Sequence, residues 1–194
     1  MPAYIDSQHP SSLLRFSCAK HLPVILQTEA AECGLACLAM IADFYGYQTD
    51  LTQLRLRYCI SSRGASLKQI MDIAGQLNMT SRALKLDVNN INQLTMPCIL
   101  HWQMKHFVVI KACHPNYIEI HDPAVGKKSV RFSEVNKLFT GIALELTPNA
   151  QFEMKNDQQS LSFQHFWSTI GGLKRSLALV LVLSLLLQVF SVTS

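Results

Sequence analysis

Apolar residues follow two different periods along this chain, first that of a helix and then that of a strand. From Glu32 to Phe44 they recur at helical spacing, and Gly46 ends the run. Asp50 and Ser66 each stand three residues before a glutamine, which is the pattern of a capping box. The first part of the folded chain is therefore predicted to consist of helices.

Short segments with period-two alternation follow these helices. Strands are predicted over 83–86, 98–102, 107–110, 117–120 and 142–146. Turn signals lie at His114 and from Asp122 to Gly126. Ser133 is predicted to cap a short helix that ends at Phe139. Helices followed by antiparallel strands make an α+β fold.

The C-terminus differs in character from the rest of the chain. The run from Leu177 to Val192 is apolar and uncharged, slightly short of the roughly 20 residues that a membrane-spanning helix needs. Leucine and valine occupy every face, which favours a membrane helix over a core helix. Lys174 and Arg175 precede the run and indicate that the preceding domain faces the cytoplasm. We expect the chain to be the N-terminal piece of a larger protein.

The changes in pattern divide the chain into four segments. They are an N-terminal tail (1–20), a folded domain (21–148), a linker or interfacial segment (149–172) and a truncated first transmembrane helix (173–194). Around Trp167 the apolar spacing suits either an interfacial helix or a simple surface helix.

Composition excludes several functional classes. The net charge is +4 and the 17 basic residues are scattered, so a nucleic-acid partner is not expected. The six cysteines form no Cys-x-x-Cys pair and the N-terminus is no signal peptide, which indicates free thiols in a reducing cytosol. No ligand pairs stand at zinc-finger spacing, so neither a metal nor another cofactor is expected.

Cys33 is the strongest candidate for chemistry. It lies at the first turn of a predicted helix, where the helix dipole favours thiolate over thiol. His106 opens one predicted strand and Asp122 closes the next, so a hairpin would bring them side by side. Gln27 can join the Cys33 backbone N–H as an oxyanion hole, and Gly34 is predicted to leave room for a substrate backbone. This order suits a cysteine hydrolase.

Each assignment has a structural alternative. Cys33 could be a small buried hydrophobe, and Asp122 could serve only the Asp-Pro turn. Gln27 could be a helix cap or a surface residue. His101 competes with His106 as the base if the strand register differs.

Nearby residues are interpreted as structural. Cys37 lies one helical turn after Cys33 and is predicted to be core, with redox pairing to Cys33 left open. Glu29 and Glu32 are interpreted as acids favoured by the helix dipole rather than catalytic groups. His121 points to the sheet face opposite that of Asp122. The remaining cysteines, taken as structural or incidental, are Cys18, Cys59, Cys98 and Cys113.

The motifs also occur in a familiar order. They are Gln27, Glu-Cys33-Gly-Leu-Ala-Cys, Arg63-Gly-Ala-Ser-Leu, Pro97-Cys-Ile-Leu-His-Trp, His106-Phe-Val-Val-Ile, His-Asp122-Pro-Ala and Phe139-Thr-Gly-Ile-Ala-Leu-Glu. Over about residues 20–148 the chain resembles the N-terminal peptidase domain of bacteriocin-processing ABC exporters, closest to the colicin V type. Many relatives have aspartate where this chain has Glu32.

The resemblance implies a papain-like cysteine peptidase that removes a leader after a double-glycine motif while the transporter exports the cargo. It implies that Cys33 is the nucleophile, His106 the base, Asp122 its orienter and Gln27 the oxyanion donor. The implied partners are a bacteriocin precursor's leader, the bacterial inner membrane and the transporter remainder, as a dimer. The peptidase domain would face the cytoplasm.

Two alternatives remain open. A catalytically silent domain that only docks cargo would share the fold, although such domains have the cysteine replaced. A self-standing cytosolic thiol hydrolase is disfavoured by the apolar C-terminus. The chain has no Gly-x-x-x-x-Gly-Lys-[Ser/Thr] phosphate loop, so any ATP hydrolysis would belong to a nucleotide-binding domain absent from these residues.

Overall fold

The computed structural model describes residues 21–58, 60–156 and 173–193. Contacts divide the chain into two compact units, Met1–Gln158 and Gln159–Ser194. The predicted tail over 1–20, the segment around Trp167, and the cysteines Cys18 and Cys59 lie outside the described residues.

Helices occupy the start of the first unit. They are α1 (Cys33–Phe44), α2 (Leu51–Tyr58) and α3 (Leu67–Gln76), and a short 3₁₀ helix, Ala30–Glu32, leads into α1. Both predicted caps form. The Asp50 carboxylate accepts the Gln53 N–H at 2.7 Å, and the Ser66 hydroxyl accepts the Gln69 N–H at 3.3 Å.

A six-stranded antiparallel sheet follows. Its strands are β1 (Met79–Lys85), β2 (Cys98–Trp102), β3 (His106–Cys113), β4 (Tyr117–Asp122), β5 (Gly126–Arg131) and β6 (Phe139–Pro148). A 3₁₀ helix, Val88–Gln93, connects β1 to β2, and α4 (Phe132–Leu138) connects β5 to β6. The strand order is β1-β6-β2-β3-β4-β5, and every neighbouring pair is antiparallel. The predicted α+β class with an antiparallel sheet is confirmed.

Two details after β4 differ from the prediction. Strand β5 was not predicted, because its sequence Gly-Lys-Lys-Ser-Val-Arg lacks apolar alternation. It is an edge strand in which Val130 is buried beside Ile118 while the charged residues face outward. The predicted cap at Ser133 is wrong. Arg131 holds the N-cap position with extended backbone, and Ser133 lies inside α4.

The sheet has an apolar cluster on each face. One includes α1 and α3 together with Val109 and Leu144, and the other includes α4 with Leu100 and Ile110. Helix α1 packs against β3 and is buried at every position from Cys33 to Ala42. The N-terminus of this helix is therefore held against the sheet that carries His106 and Asp122.

The described part of the predicted linker packs on the first unit. The Asn149 N–H donates to the Asn78 carbonyl at 3.0 Å, and the Gln48 N–H donates to the Lys155 carbonyl at 2.7 Å. The Phe152 ring lies edge-on against Tyr45. Residues 149–156 thus continue the compact unit past β6.

The second unit contains helix α5, Leu173–Thr193. Among the described residues, no helix is both long enough and apolar enough to cross a membrane. The membrane span over 173–194 stays a prediction.

Gly34 has a packing role that differs from its predicted one. A Cβ at this position would lie 2.7 Å from Ile70 Cδ1 and 3.4 Å from Ala65 Cβ. The space beside Gly34 is therefore filled by α3 and its preceding loop, and the prediction that it leaves room for a substrate backbone is wrong.

We predict that Gly34→Ala lowers the free energy of unfolding by about 1–2 kcal/mol through overpacking against α3, although alanine is the better helix former. Urea unfolding measures the loss. Adding Gly34→Ala to an Ile70→Val background should cost less, because valine lacks the Cδ1 atom that collides. An equal loss in both backgrounds would show that Ile70 is not the constraint.

Candidate active site

Cys33 is the first residue of α1 and is 4% exposed. The 3₁₀ helix Ala30–Glu32 leads directly into this first turn of α1. The Cys33 thiol lies close enough to His106 to help raise the pKa of that imidazole. Cys33 is thus a buried thiol with a basic partner, not an isolated core cysteine.

The β3–β4 hairpin brings His106 and Asp122 together. His106 is the first residue of β3 and Asp122 the last residue of β4, so antiparallel pairing places both at one end of the sheet. The Nε2 of His106 lies 2.8 Å from Oδ1 of Asp122. Because Nε2 faces the carboxylate, Nδ1 is the ring nitrogen left for a second partner. The predicted proximity of the two strand ends is confirmed.

The electrostatics favour the charged forms of both partners. The hydrogen bond that His106 donates to Asp122 raises the pKa of His106 to about 9, helped by the neighbouring Cys33 and opposed by burial. Burial also works to raise the pKa of Asp122, but the hydrogen bonds from His106 and the Ala124 N–H outweigh it, and that pKa is lowered. At neutral pH the pair is imidazolium and carboxylate.

Asp122 serves the turn as well as the histidine. Its Oδ1 accepts the Ala124 N–H at 2.9 Å, and its backbone carbonyl accepts the Val125 N–H at 3.2 Å. The turn alternative and the orienting interpretation therefore describe the same residue. The turn holds the carboxylate in the position from which it contacts the imidazole.

Gln27 is attached to this turn through its backbone. Its N–H donates to the carbonyl of Pro123 at 2.9 Å, one residue beyond Asp122. The side-chain Oε1 of Gln27 is buried and has no hydrogen-bond partner within the described ranges. The residue as a whole is partly buried.

The other two candidate histidines have different partners. His101 Nδ1 lies 2.8 Å from the Thr140 hydroxyl, and burial lowers the pKa of this imidazole. His121 is buried, its Nδ1 lies 2.9 Å from the carbonyl of Pro23, and burial likewise lowers its pKa. Of the three histidines, His106 is the one that contacts both Cys33 and Asp122.

The remaining described cysteines occupy other environments. Cys37 is fully buried, and burial raises the pKa of its thiol well above the usual value, which keeps it protonated. It is a free core cysteine, as predicted. Burial also raises the pKa of Cys98. In the part of the chain that the structure describes, no group of three acids, histidines or cysteines is placed to hold a metal ion.

The contact between Glu32 and Arg55 was not predicted from the sequence. Glu32 is 5% exposed, and its Oε2 accepts the N–H groups of Thr28 and Glu29, each at 3.1 Å. Its Oε1 forms an ion pair with the Arg55 guanidinium from α2. Glu32 lies in the first turn as predicted, and its pairing with Arg55 adds a contact that the prediction did not include. No local sequence signal indicates a partner on another helix.

A cavity of about 450 Å³ opens near this site. The loop before α3 forms one side, and the tip of the β2–β3 hairpin, two residues before His106, forms the other. Met104 at the tip is 79% exposed, and both it and Gln103 have left-handed backbone, with φ of 64° and 51°. The hairpin thus displays an apolar side chain beside the cavity.

Comparison with known proteins gives one matching family and several relatives. The Peptidase C39 family matches residues 21–151. The "Probable microcin-H47 secretion/processing ATP-binding protein" of Escherichia coli is 44% identical over 87% of this chain, and the colicin V secretion/processing ATP-binding protein of Escherichia coli is 42% identical over 91%. The matches cover 24% and 25% of those proteins, so the chain spans about a quarter of their length.

Solved structures share the fold of the first unit. A double glycine motif protease from an AMS/PCAT transporter, in complex with the leader peptide, is 34% identical with a TM-score of 0.63. The match covers 67% of this chain and 94% of that one. The peptidase domain of Streptococcus ComA, a bi-functional ABC transporter involved in a quorum sensing pathway, is 27% identical with a TM-score of 0.62. Here the coverage is 66% of this chain and 100% of that one.

We predict that the His106 imidazole titrates near pH 9 in the folded protein, and that Asp122→Asn moves the midpoint down by at least about one pH unit. A raised pKa means that the proton is held to higher pH. The stabilisation from this pair is therefore complete below the unfolded value of about 6.5 and is lost as pH rises to about 9.

Ring resonances in NMR spectra recorded against pH measure the midpoint. His101 and His121 serve as internal references, because burial lowers their pKa values and they should titrate at lower pH than an exposed histidine. A His106 midpoint at or below 6.5 would contradict the ion pair.

Proposed function

The chain belongs to the Peptidase C39 family, and from that membership we propose that its first unit is a cysteine endopeptidase for double-glycine leaders. Its substrate would be a bacteriocin or microcin precursor, whose N-terminal leader is removed after the second glycine. The observation that carries the proposal is the contact of the His106 imidazole with both the Cys33 thiol and the Asp122 carboxylate.

Acylation begins at Cys33. Its thiolate, paired with the imidazolium of His106, attacks the carbonyl carbon of the second leader glycine and forms the sulfur–carbon bond. The electron pair of the carbonyl moves to oxygen, where the Gln27 amide NH₂ and the Cys33 backbone N–H donate to it. The carbon–nitrogen bond then breaks, and the His106 imidazolium gives its proton to the departing amine of the cargo.

Deacylation uses the same groups in the opposite sense. The imidazole of His106, now neutral, takes a proton from water as the oxygen attacks the thioester carbon. The leader leaves with a free carboxylate, and the Cys33 thiolate and His106 imidazolium are restored. Asp122 keeps the ring oriented and stabilises its charged form throughout.

The burial of Cys33 supports a substrate that has glycine at the cleavage site. Cys33 is 4% exposed, so a substrate carbonyl has to enter below the surface to reach the sulfur. A Cβ on either residue before the scissile bond would obstruct that approach, whereas glycine adds no side chain. An amphipathic leader helix docked on an apolar groove would provide the remaining specificity.

The names of the relatives support a proposal about the larger protein to which this unit would belong. They are secretion/processing ATP-binding proteins, and a structural neighbour is described as an ABC transporter. We propose that this peptidase unit is the N-terminal part of such an exporter at the bacterial inner membrane, faces the cytoplasm and works as part of a dimer. ATP hydrolysis would reside in residues outside this chain. A silent docking domain is less favoured, because the nucleophile and its base are both present.

We predict that the chain cuts a synthetic double-glycine leader peptide after the second glycine, and that Cys33→Ala abolishes cleavage while leader binding persists. Mass spectrometry locates the cut, and fluorescence anisotropy measures binding. Cys113→Ser is the matched control, since it removes a free thiol distant in sequence from the site. Binding without cleavage by the unmodified chain would favour the docking domain, and cleavage that survives Cys33→Ala would exclude Cys33 as the nucleophile.

We predict that Gln27→Ala lowers kcat about 100-fold to 1,000-fold with little change in KM, because an oxyanion donor acts on the transition state rather than on the bound substrate. Steady-state kinetics on the leader peptide separate the two constants. Gln76→Ala on the exposed side of α3 is the matched control. A rise in KM at unchanged kcat would assign Gln27 to substrate binding instead.

A further inference from the structure

Glu32 has an unusual environment for a carboxylate next to a nucleophile. Its side chain is 6% exposed, and both oxygens are engaged, one by two backbone N–H groups and the other by Arg55. Burial by itself raises the pKa of Glu32, but Arg55 and the N–H donors of Glu29 and Thr28 outweigh it, and the pKa is lowered. The residue is therefore a buried, ionised acceptor.

The turn between Gln27 and Cys33 is held by hydrogen bonds rather than by apolar packing. Residues 28–30 are exposed, as is Leu26. On one side, the Gln27 N–H bonds the carbonyl of Pro123, directly after Asp122. On the other side, the two N–H groups that follow Gln27 bond the carboxylate of Glu32, directly before Cys33. Gln27 thus lies between two anchors, each adjacent in sequence to a residue of the site.

We infer that Glu32 is a positioning residue for the oxyanion hole: its carboxylate, held by Arg55, fixes the turn that places the Gln27 amide beside the Cys33 backbone N–H. This inference rests on the acyl-transfer chemistry proposed above. Glu32 itself touches neither substrate nor the reacting atoms.

The geometry explains why this residue suits the task. Glu32 precedes Cys33 in the chain, so its backbone sets the position of one oxyanion donor while its side chain sets the turn that carries the other. Arg55 projects from α2, whose Leu51 and Leu54 are buried in the core. Through Arg55 the turn is therefore anchored to the packed helices. Donors in such a hole act only when held close to the position of the oxyanion, and a displacement of about 1 Å costs about 100-fold in rate.

Two small probes distinguish positioning of the oxyanion hole from support of the thiolate. Acylation of Cys33 by a p-nitrophenyl ester passes through an oxyanion but needs no leader. Alkylation by iodoacetamide needs the thiolate but forms no oxyanion. The acylation and alkylation rates are measured on four versions of the full chain: the original sequence, Glu32→Gln, Gln27→Ala and the double variant. Thermal unfolding is recorded for each.

Glutamine at position 32 keeps an acceptor for the turn but loses the charge that attracts Arg55. We expect Glu32→Gln to slow acylation about 10-fold to 100-fold, to leave alkylation within about twofold, and to cause no further loss when Gln27 is already alanine. Glu153→Gln is the matched control. It removes the same charge from an exposed side chain outside the turn and should leave both rates unchanged.

Several results would overturn the inference. If the losses in acylation rate from the two substitutions multiply in the double variant, Glu32 acts independently of Gln27. If alkylation falls in parallel with acylation, Glu32 supports the thiolate instead. If Glu32→Gln does not fold, Arg55→Gln keeps the carboxylate while removing its partner, and the same dependence on Gln27 is required of it.

The proposed function is tested by a separate measurement, the cleavage of a double-glycine peptide. Should the chain react with the ester but not cut a double-glycine peptide, the leader assignment fails, while the ester rates still decide the role of Glu32.

Discussion

The positions of the site residues depend on one constraint, which is that helix α1 is buried on all sides. Ten successive residues, Cys33 to Ala42, are buried, so α1 needs cover on all sides. The sheet provides it through β3, while α2 and α3 pack elsewhere on the helix. An apolar helix in this position has one end at the edge of the core. That end carries Cys33, and the adjoining strand begins with His106. Cys33 and His106 meet because the helix and strand that bear them are packed together.

The same packing explains which predictions succeeded. Helix α1, strands β2 to β4 and the meeting of His106 with Asp122 depend on local periodicity and on one turn, and these signals lie within short stretches of sequence. Strand β5 pairs through its backbone, and its Gly-Lys-Lys-Ser-Val-Arg sequence has no alternation to read. A strand of this kind is recognised only once its neighbour β4 is in place.

Long-range contacts account for the other errors. The space beside Gly34 was assigned to substrate because glycine next to a nucleophile suggests an open cleft, whereas Ile70 from α3 occupies it. The pairing of Glu32 with Arg55 was missed, because Arg55 lies more than twenty positions further along the chain. Residues at the N-terminus of a buried helix have neighbours from every surrounding element. Their roles are the least accessible to reasoning from sequence.

Charge compensation then completes the site. Two carboxylates flank Cys33, Asp122 through the imidazole and Glu32 as the preceding residue of the chain. Each carboxylate has its own cation, since His106 faces Asp122 and Arg55 faces Glu32. The two acids can therefore hold the imidazole and the Gln27 turn in place without adding uncompensated negative charge beside Cys33. All of these groups belong to the first unit. The groups of the proposed acyl transfer therefore all lie within the peptidase fold.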